Sequence, residues 1–204
     1  SKESEAPAGA QTGNAHYRAR SLSVSRALWR PPIIPRFLRQ RTHKPQLNRD
    51  VFLVHRLDRE AAGLMLIAHT GKAAAALSAL FADHTAGAQV IDKRYQVEVR
   101  GELPLEGHIQ KKLDSKPAST HFRRLAFDAE RNVSLAEVLI DTGRKHQIRR
   151  HLAGIGCPVL GDPQYGEGNS DVRGLQLFAV QLKFYCPLTR SVRNYCLAER
   201  LPSL

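Results

Sequence analysis

Apolar residues recur along the chain with two different periods, and together these predict an α+β fold. Hydrophobic and polar positions alternate from Val133 to Ile140, from Phe122 to Phe127, and from Arg94 to Arg100, where Tyr95, Val97 and Val99 share one side. Such alternation marks half-buried strands. Val51 to Val54 and Leu64 to Ala68 are short apolar runs on either side of a polar turn, the pattern of buried strands. Lys72 to Asp83 is rich in Ala and Leu and has helical propensity. His146 to Ile155 places Ile148, Leu152 and Ile155 on one helical face, with Gly156 as a stop. Leu175 to Tyr185 and Val192 to Leu197, parted around Pro187, form a closing hairpin. The expected architecture is a mixed or antiparallel central sheet with flanking helices, opened by a strand, a loop, a strand and a helix.

The first fifty residues do not share this pattern. No acidic residue occurs from Ala6 to Arg49, while nine Arg and Lys residues accumulate there among Ser, Pro and Gln. Pro31, Pro32 and Pro35 interrupt the apolar residues and allow only short helical or extended pieces. Residues 1–50 therefore read as a basic, Pro/Arg-rich arm and residues 51–204 as one folded domain. With 204 residues and 42% hydrophobic content, the chain is long enough for one sizeable core.

Charge then narrows the partners. A formal net charge of +12 attracts polyanions through counterion release and steering, so nucleic acid is the leading partner class. Arg36, Arg39 and Arg41 of the arm are candidates for contacts with an RNA backbone. Cys157, Cys186 and Cys196 form no CxxC pair, which fits a reducing compartment and gives no zinc motif. His55, His146 and His151 lack the spacing of a known zinc site, so no metal is expected. No apolar run is long enough to span a bilayer, and no membrane association is expected. The acid-free, Arg-rich beginning and a first residue other than Met suggest an organellar protein, mitochondrial first, with bacterial cytoplasm as the alternative.

The segment His55-Arg56-Leu57-Asp58-Arg59-Glu60 sets an acid among arginines directly after an apolar strand. Neighbouring guanidinium groups keep such a carboxylate ionised, and the loop leaves it reachable. Taken alone, an Asp between arginines is more often half of a surface ion pair. A kinase catalytic loop has similar wording, but no Gly-rich phosphate loop, Lys-bearing strand or DFG accompanies it.

Longer blocks carry a resemblance. HRLDREAAGL, from His55 to Leu64, resembles the HRLDxxTSGL signature of RluA-type pseudouridine synthases. Lys93-Arg94-Tyr95 resembles that family's Lys-x-Tyr strand, and Lys116-Pro117-Ala118 with Thr120-His121-Phe122 its KPAxTxY stretch. Thr142 to Gly166, TGRKHQIRRHLAGIGCPVLGDPQYG, resembles the TGRxHQIRxHLxxxGxPIxGDxxYG block almost throughout, in wording similar to the branch containing tRNA pseudouridine synthase C. The resemblance covers about residues 51–198.

It implies the pseudouridine synthase catalytic fold and an RNA-modifying isomerase acting on rRNA or tRNA by flipping a uridine out of the stack. By matched position, Asp58 is the expected catalytic carboxylate. Tyr95 stacks near the target and assists removal of the ribose C2′ proton, and Arg149 pairs with Asp58 to keep it charged. Arg56 supports the displaced RNA, while Arg144, Lys145 and Arg150 bind its backbone. No cofactor is implied; RNA is the partner, with ribosomal or ribosome-assembly proteins as further candidates. The alternative is a synthase-like RNA-binding assembly factor or ribosomal component without catalysis. Two departures accompany the match. Ala61-Ala62 replaces Thr-Ser, and the family's opening strand with its Asn-Lys-Pro-x-Gly turn has no counterpart in the wording of residues 1–50, which would leave a sheet edge open unless the arm or a partner covers it.

Overall fold

The computed structural model describes residues 22–27, 50–82, 91–166, 168 and 170–197. Among these residues, nine strands and two helices follow in the order β1 (Leu22–Ala27), β2 (Phe52–Leu53), β3 (Ala62–Ala68), α1 (Gly71–Ala82), β4 (Asp92–Arg100), β5 (Glu106–Ile109), β6 (Thr120–Asp128), β7 (Val133–Ile140), α2 (Gln147–Ala153), β8 (Leu177–Cys186) and β9 (Ser191–Cys196). They form one mixed sheet ordered β1-β3-β8-β4-β7-β6-β5, with β2 paired to β3 and β9 to β8. Only the β3–β8 pair is parallel among the described strands.

The sheet edge that the sequence leaves open unless the arm or a partner covers it is covered from within the arm segment. β1, a six-residue strand within the segment read as an arm, runs antiparallel along β3 from Leu22 opposite Ala68 to Ala27 opposite Gly63. On the other flank of β3, β8 pairs at Ala62 and Gly63, and β2 pairs at Ile67 and Ala68. The loop carrying Asp58 leaves β2 beside the gap between these pairings. There the Leu66 amide donates to Nε2 of His55 at 2.8 Å, so an imidazole nitrogen accepts where a neighbouring strand's carbonyl otherwise would. Gly63 permits the parallel approach. Its φ is +117°, and a Cβ there would lie 2.3 Å from the Ala179 carbonyl oxygen.

Two hydrophobic clusters divide the sheet. Under α1, Ala73 and Leu77 pack with Leu64, Leu66 and Ala68 of β3 and with Leu182 and Phe184 of β8. Leu66 and Leu77 are fully buried, each contributing roughly 1.5–3 kcal/mol. The Thr70 hydroxyl caps α1 by accepting from the Ala73 amide at 3.1 Å, a cap worth ~1 kcal/mol. Under α2, Ile148 and Leu152 pack on Val97, Val99, Ala136 and Val138.

Three expectations need adjustment. The first strand shortens from Val51–Val54 to two residues, with Phe52 exposed. The second helix ends at Ala153, so Ile155 falls beyond it and is exposed rather than buried. A four-residue strand, β5, joins the outer edge of the sheet. No helix among the described residues is long and apolar enough to cross a membrane.

Candidate active site

The β2–β3 loop, β4 and the turn before α2 converge on a cleft of about 200 Å³ lined by Arg56, Asp58, Tyr95, Arg144, Lys145 and Gln147, among others. A space of this size suits a small planar ring. Asp58 sits in the loop, which a backbone bond from the Ala61 amide to the Asp58 carbonyl closes at 3.1 Å.

Beneath Asp58 lies Arg149, 1% exposed. The sequence pairs it with Asp58; in the structure its firm partner is Asp162, a fully buried carboxylate that accepts from Nε and Nη2 at 2.7 Å each. Such a bidentate fork fixes the guanidinium plane. The remaining Nη1 lies 3.5 Å from Asp58 and 3.8 Å from Glu60 without a hydrogen-bond partner. Asp58 is thus an ion-pair neighbour of Arg149, while Asp162 is its anchor. Burial pushes the Asp162 carboxyl up, but the bonds from Arg149 and from the Gln164 and Tyr165 amides outweigh it and hold the group below its ordinary range. Gly161, with φ +71°, turns the chain into Asp162 where a Cβ would meet the Gly174 carbonyl oxygen at 2.0 Å.

His146 faces the same acid, its Nε2 4.0 Å from Asp58 Oδ1. Its backbone is left-handed at φ 52°, and its ring meets Tyr165 Oη at 3.0 Å instead of capping α2. Tyr165 also lies under the Arg149 guanidinium, 5.2 Å from ring centroid to Cζ. Asp162, Tyr165 and Glu60 were not assigned roles from the sequence, although the first two stand in its GDPQYG stretch.

Tyr95 of β4 lines the cleft and has its phenol pushed above the ordinary range first by burial and then by the charge of Asp58. It is neutral at physiological pH. Lys93, two residues earlier, is lowered to about 8 by burial, partly opposed by Asp141. His55 is lowered to about 4 by burial and by Lys93, and its ring stacks on Phe81 with centroids 4.3 Å apart. It is a neutral structural histidine.

The expected RNA contacts divide. Arg56 and Lys145 are exposed at the cleft. Arg144 lines it too, with Nε donating to the Pro117 carbonyl at 2.9 Å. Arg150 makes two bonds to Asp114, at 2.9 and 3.0 Å, so its charge is already paired. Arg36, Arg39 and Arg41 lie outside the described residues. The turn before α2 is held by Gln147, whose amide oxygen accepts from the Thr142 hydroxyl and Arg144 amide while its nitrogen donates to the Ser119 carbonyl and Thr120 hydroxyl. His151 bonds Thr120 and the Lys111 carbonyl. His55, His146 and His151 are thus spent on separate partners.

This sheet with its cleft is the fold of pseudouridylate synthase domains. The solved structure of human RNA Pseudouridylate Synthase Domain Containing 1 matches 90% of this chain and 82% of its own with a TM-score of 0.70 at 22% identity. Residues 34–154 match the family model for RNA pseudouridylate synthase, and the chain belongs to that family. Over 130 residues it is 38% identical to ribosomal large subunit pseudouridine synthase D of Zymomonas mobilis, covering 56% of this chain and 39% of that protein. Over 152 residues it is 36% identical to tRNA pseudouridine synthase C of Pectobacterium carotovorum, covering 62% and 39% respectively. The match spans about two fifths of these two relatives' lengths. It is broader for tRNA pseudouridine synthase C of Vibrio cholerae, 30% identical over 73% of this chain and 72% of that protein.

Proposed function

We propose that this chain converts uridine to pseudouridine within structured ribosomal or transfer RNA, with Asp58 as the catalytic carboxylate. The observation that carries this reading is the guanidinium of Arg149. Two of its donors are fixed on Asp162, and a third, unpartnered, faces Asp58 at the cleft. The reaction conserves atoms: the bond between uracil N1 and ribose C1′ breaks, the ring turns, a bond forms between C5 and C1′, C5 loses a proton and N1 gains one. Asp58 attacks the ribose or the base, and Arg149 Nη1 balances the charge carried by the acid. Tyr95 works from the phenol form. It takes the ribose C2′ proton only as its own hydroxyl proton passes to Asp58, which on this route relays protons instead of attacking, and the relay runs in reverse to return a proton to C2′ as C5 joins C1′. Arg56 and Lys145, exposed at the rim, offset the unstacking of a flipped nucleotide through its phosphates.

The names of the relatives support both RNA classes. The basic, acid-free stretch from Ala6 to Arg49 supports a mitochondrial address, tested by imaging a fluorescent fusion of the full-length protein. Pseudouridine mapping of total RNA from cells with and without the protein tests the activity. One or a few uridines lose their modification in its absence; wild-type protein restores them and Asp58→Asn does not, while its RNA affinity stays nearly unchanged. Maps identical in all cells, with RNA binding retained, would instead support a non-catalytic RNA-binding factor.

A further inference from the structure

Outside the cleft lining, three side chains bearing metal-ligating atoms meet on the outer half of the sheet. His108 of β5 and His121 of β6 are directly opposed across the strands, so their rings leave the same face side by side. The imidazoles stack with centroids 3.8 Å apart and planes 14° from parallel. Asp141 follows the last residue of β7, the neighbour of β6. Its Oδ2 is 2.9 Å from His121 Nε2 and takes a hydrogen bond from the Ser119 hydroxyl, which also meets His108 Nε2 at 2.9 Å. One ligand atom from each of the three residues lies within 4.8 Å of the others.

We propose that His108, His121 and Asp141 form an open surface site for a borderline divalent transition-metal ion, with Zn²⁺ as the probe and water completing the coordination. Two imidazole nitrogens and one carboxylate oxygen suit Zn²⁺, Ni²⁺ or Cu²⁺ better than Mg²⁺ or Ca²⁺, which prefer all-oxygen sets. Ligands each about 2 Å from one ion lie at most about 4 Å apart, so rotations of exposed side chains close the set without moving the strands. Burial pushes the Asp141 carboxyl up, but bonds from Ser119 and His121 outweigh it and keep the group charged. The Lys93 ammonium also feels Asp141 and weakens the site.

The location links this site to the cleft. Ser119, bonded to Asp141, also receives the Gln147 amide at its carbonyl and donates its own amide to the Thr142 hydroxyl. An ion bound there clamps the ends of β5, β6 and β7 beneath the turn that carries Arg144 and Lys145.

Calorimetric titration of Zn²⁺ into the full chain, freed of metal by a chelator, tests the site without RNA, so its failure leaves the proposed activity untouched. A saturable component is expected that weakens tenfold or more in His108→Ala and in Asp141→Asn but not in His69→Ala. Circular dichroism reports folding; if His108→Ala misfolds, the near-isosteric Asp141→Asn decides alone. Absence of a saturable component, or equal affinity in wild type and Asp141→Asn, overturns the proposal.

Discussion

The two walls of the cleft are built in opposite ways. On one side, the turn and helix from Thr142 to His151 are cross-linked throughout, with Gln147 satisfied at both amide atoms, His151 bonded at both ring nitrogens and Arg149 gripped by Asp162. On the other, the loop from His55 to Ala61 is pinned near its ends, by His55 on Leu66 and by the Ala61 amide. Between them, and among the described residues, the Asp58 carboxylate is met only by ion pairs at 3.5 and 4.0 Å. The difference assigns the work. A rigid wall fixes the positive charge, while the acid that must meet a substrate keeps its oxygens free of direct hydrogen bonds.

The comparison predicts unequal costs for unequal anchors. Asp162→Asn leaves Arg149 buried with a weakened partner, and breaking a buried pair in this way costs about 3–5 kcal/mol. Glu60→Gln, which loosens an ion pair 3.8 Å from the same guanidinium in a partly exposed loop, costs less than about 1 kcal/mol. Urea denaturation of both variants measures the contrast. Equal losses would show that the two walls share the load.

A slightly smaller effect sharpens the loop side. His55 has a folded-state pKa of about 4 against an ordinary 6.5, so between these values the unfolded chain binds more protons. Its contribution is complete above about pH 6.5 and is lost as pH falls toward 4, amounting to about 3 kcal/mol over the full window. Denaturation at pH 7 and pH 4.5 detects this loss. His55→Gln keeps an acceptor for the Leu66 amide but does not titrate, and its stability falls less over the same interval. An identical decline in both proteins would assign the acid sensitivity to the carboxylates.

The sequence was most legible where local pattern and structure agree. The alternation at Val133 to Ile140 and the Ala/Leu-rich run after Thr70 are decided by side chains within each element, and β7 and α1 lie where they predict. β5 has too little pattern of its own, Glu-Gly-His-Ile, and owes its place to pairing with β6. β1 alternates Leu22 and Val24 with serines, but it stands in an arginine-rich, acid-free stretch whose composition outweighed that short signal. At the cleft, the motif blocks named Asp58, Tyr95 and Arg149, whereas the choice between Asp58 and Asp162 as anchor is a matter of distance and burial. Helix α2 and the Gly161 turn settle it by bringing a residue 13 positions away to 2.7 Å.

The smallest expected effect concerns the basic stretch before the sheet's second strand. Deleting residues 1–49 would confound charge with structure, because it also removes β1 from the edge of β3. Replacing Arg36, Arg39 and Arg41 together with Gln leaves that strand's sequence intact and removes three positive charges. Each phosphate contact contributes roughly 0.7 to 0.9 to the slope of log affinity against log salt, so the triple variant should flatten the slope by roughly 2 to 3 if all three residues meet the backbone. Its affinity should fall most at low salt and converge on wild type as salt rises, whatever the RNA sequence, because phosphate contacts carry no base information. Filter-binding titrations at four or five salt concentrations, with thermal melts to show that both proteins are folded, provide the measurement. Parallel slopes would remove these arginines from the RNA interface and leave the rim residues Arg56 and Lys145 as the backbone contacts to test next.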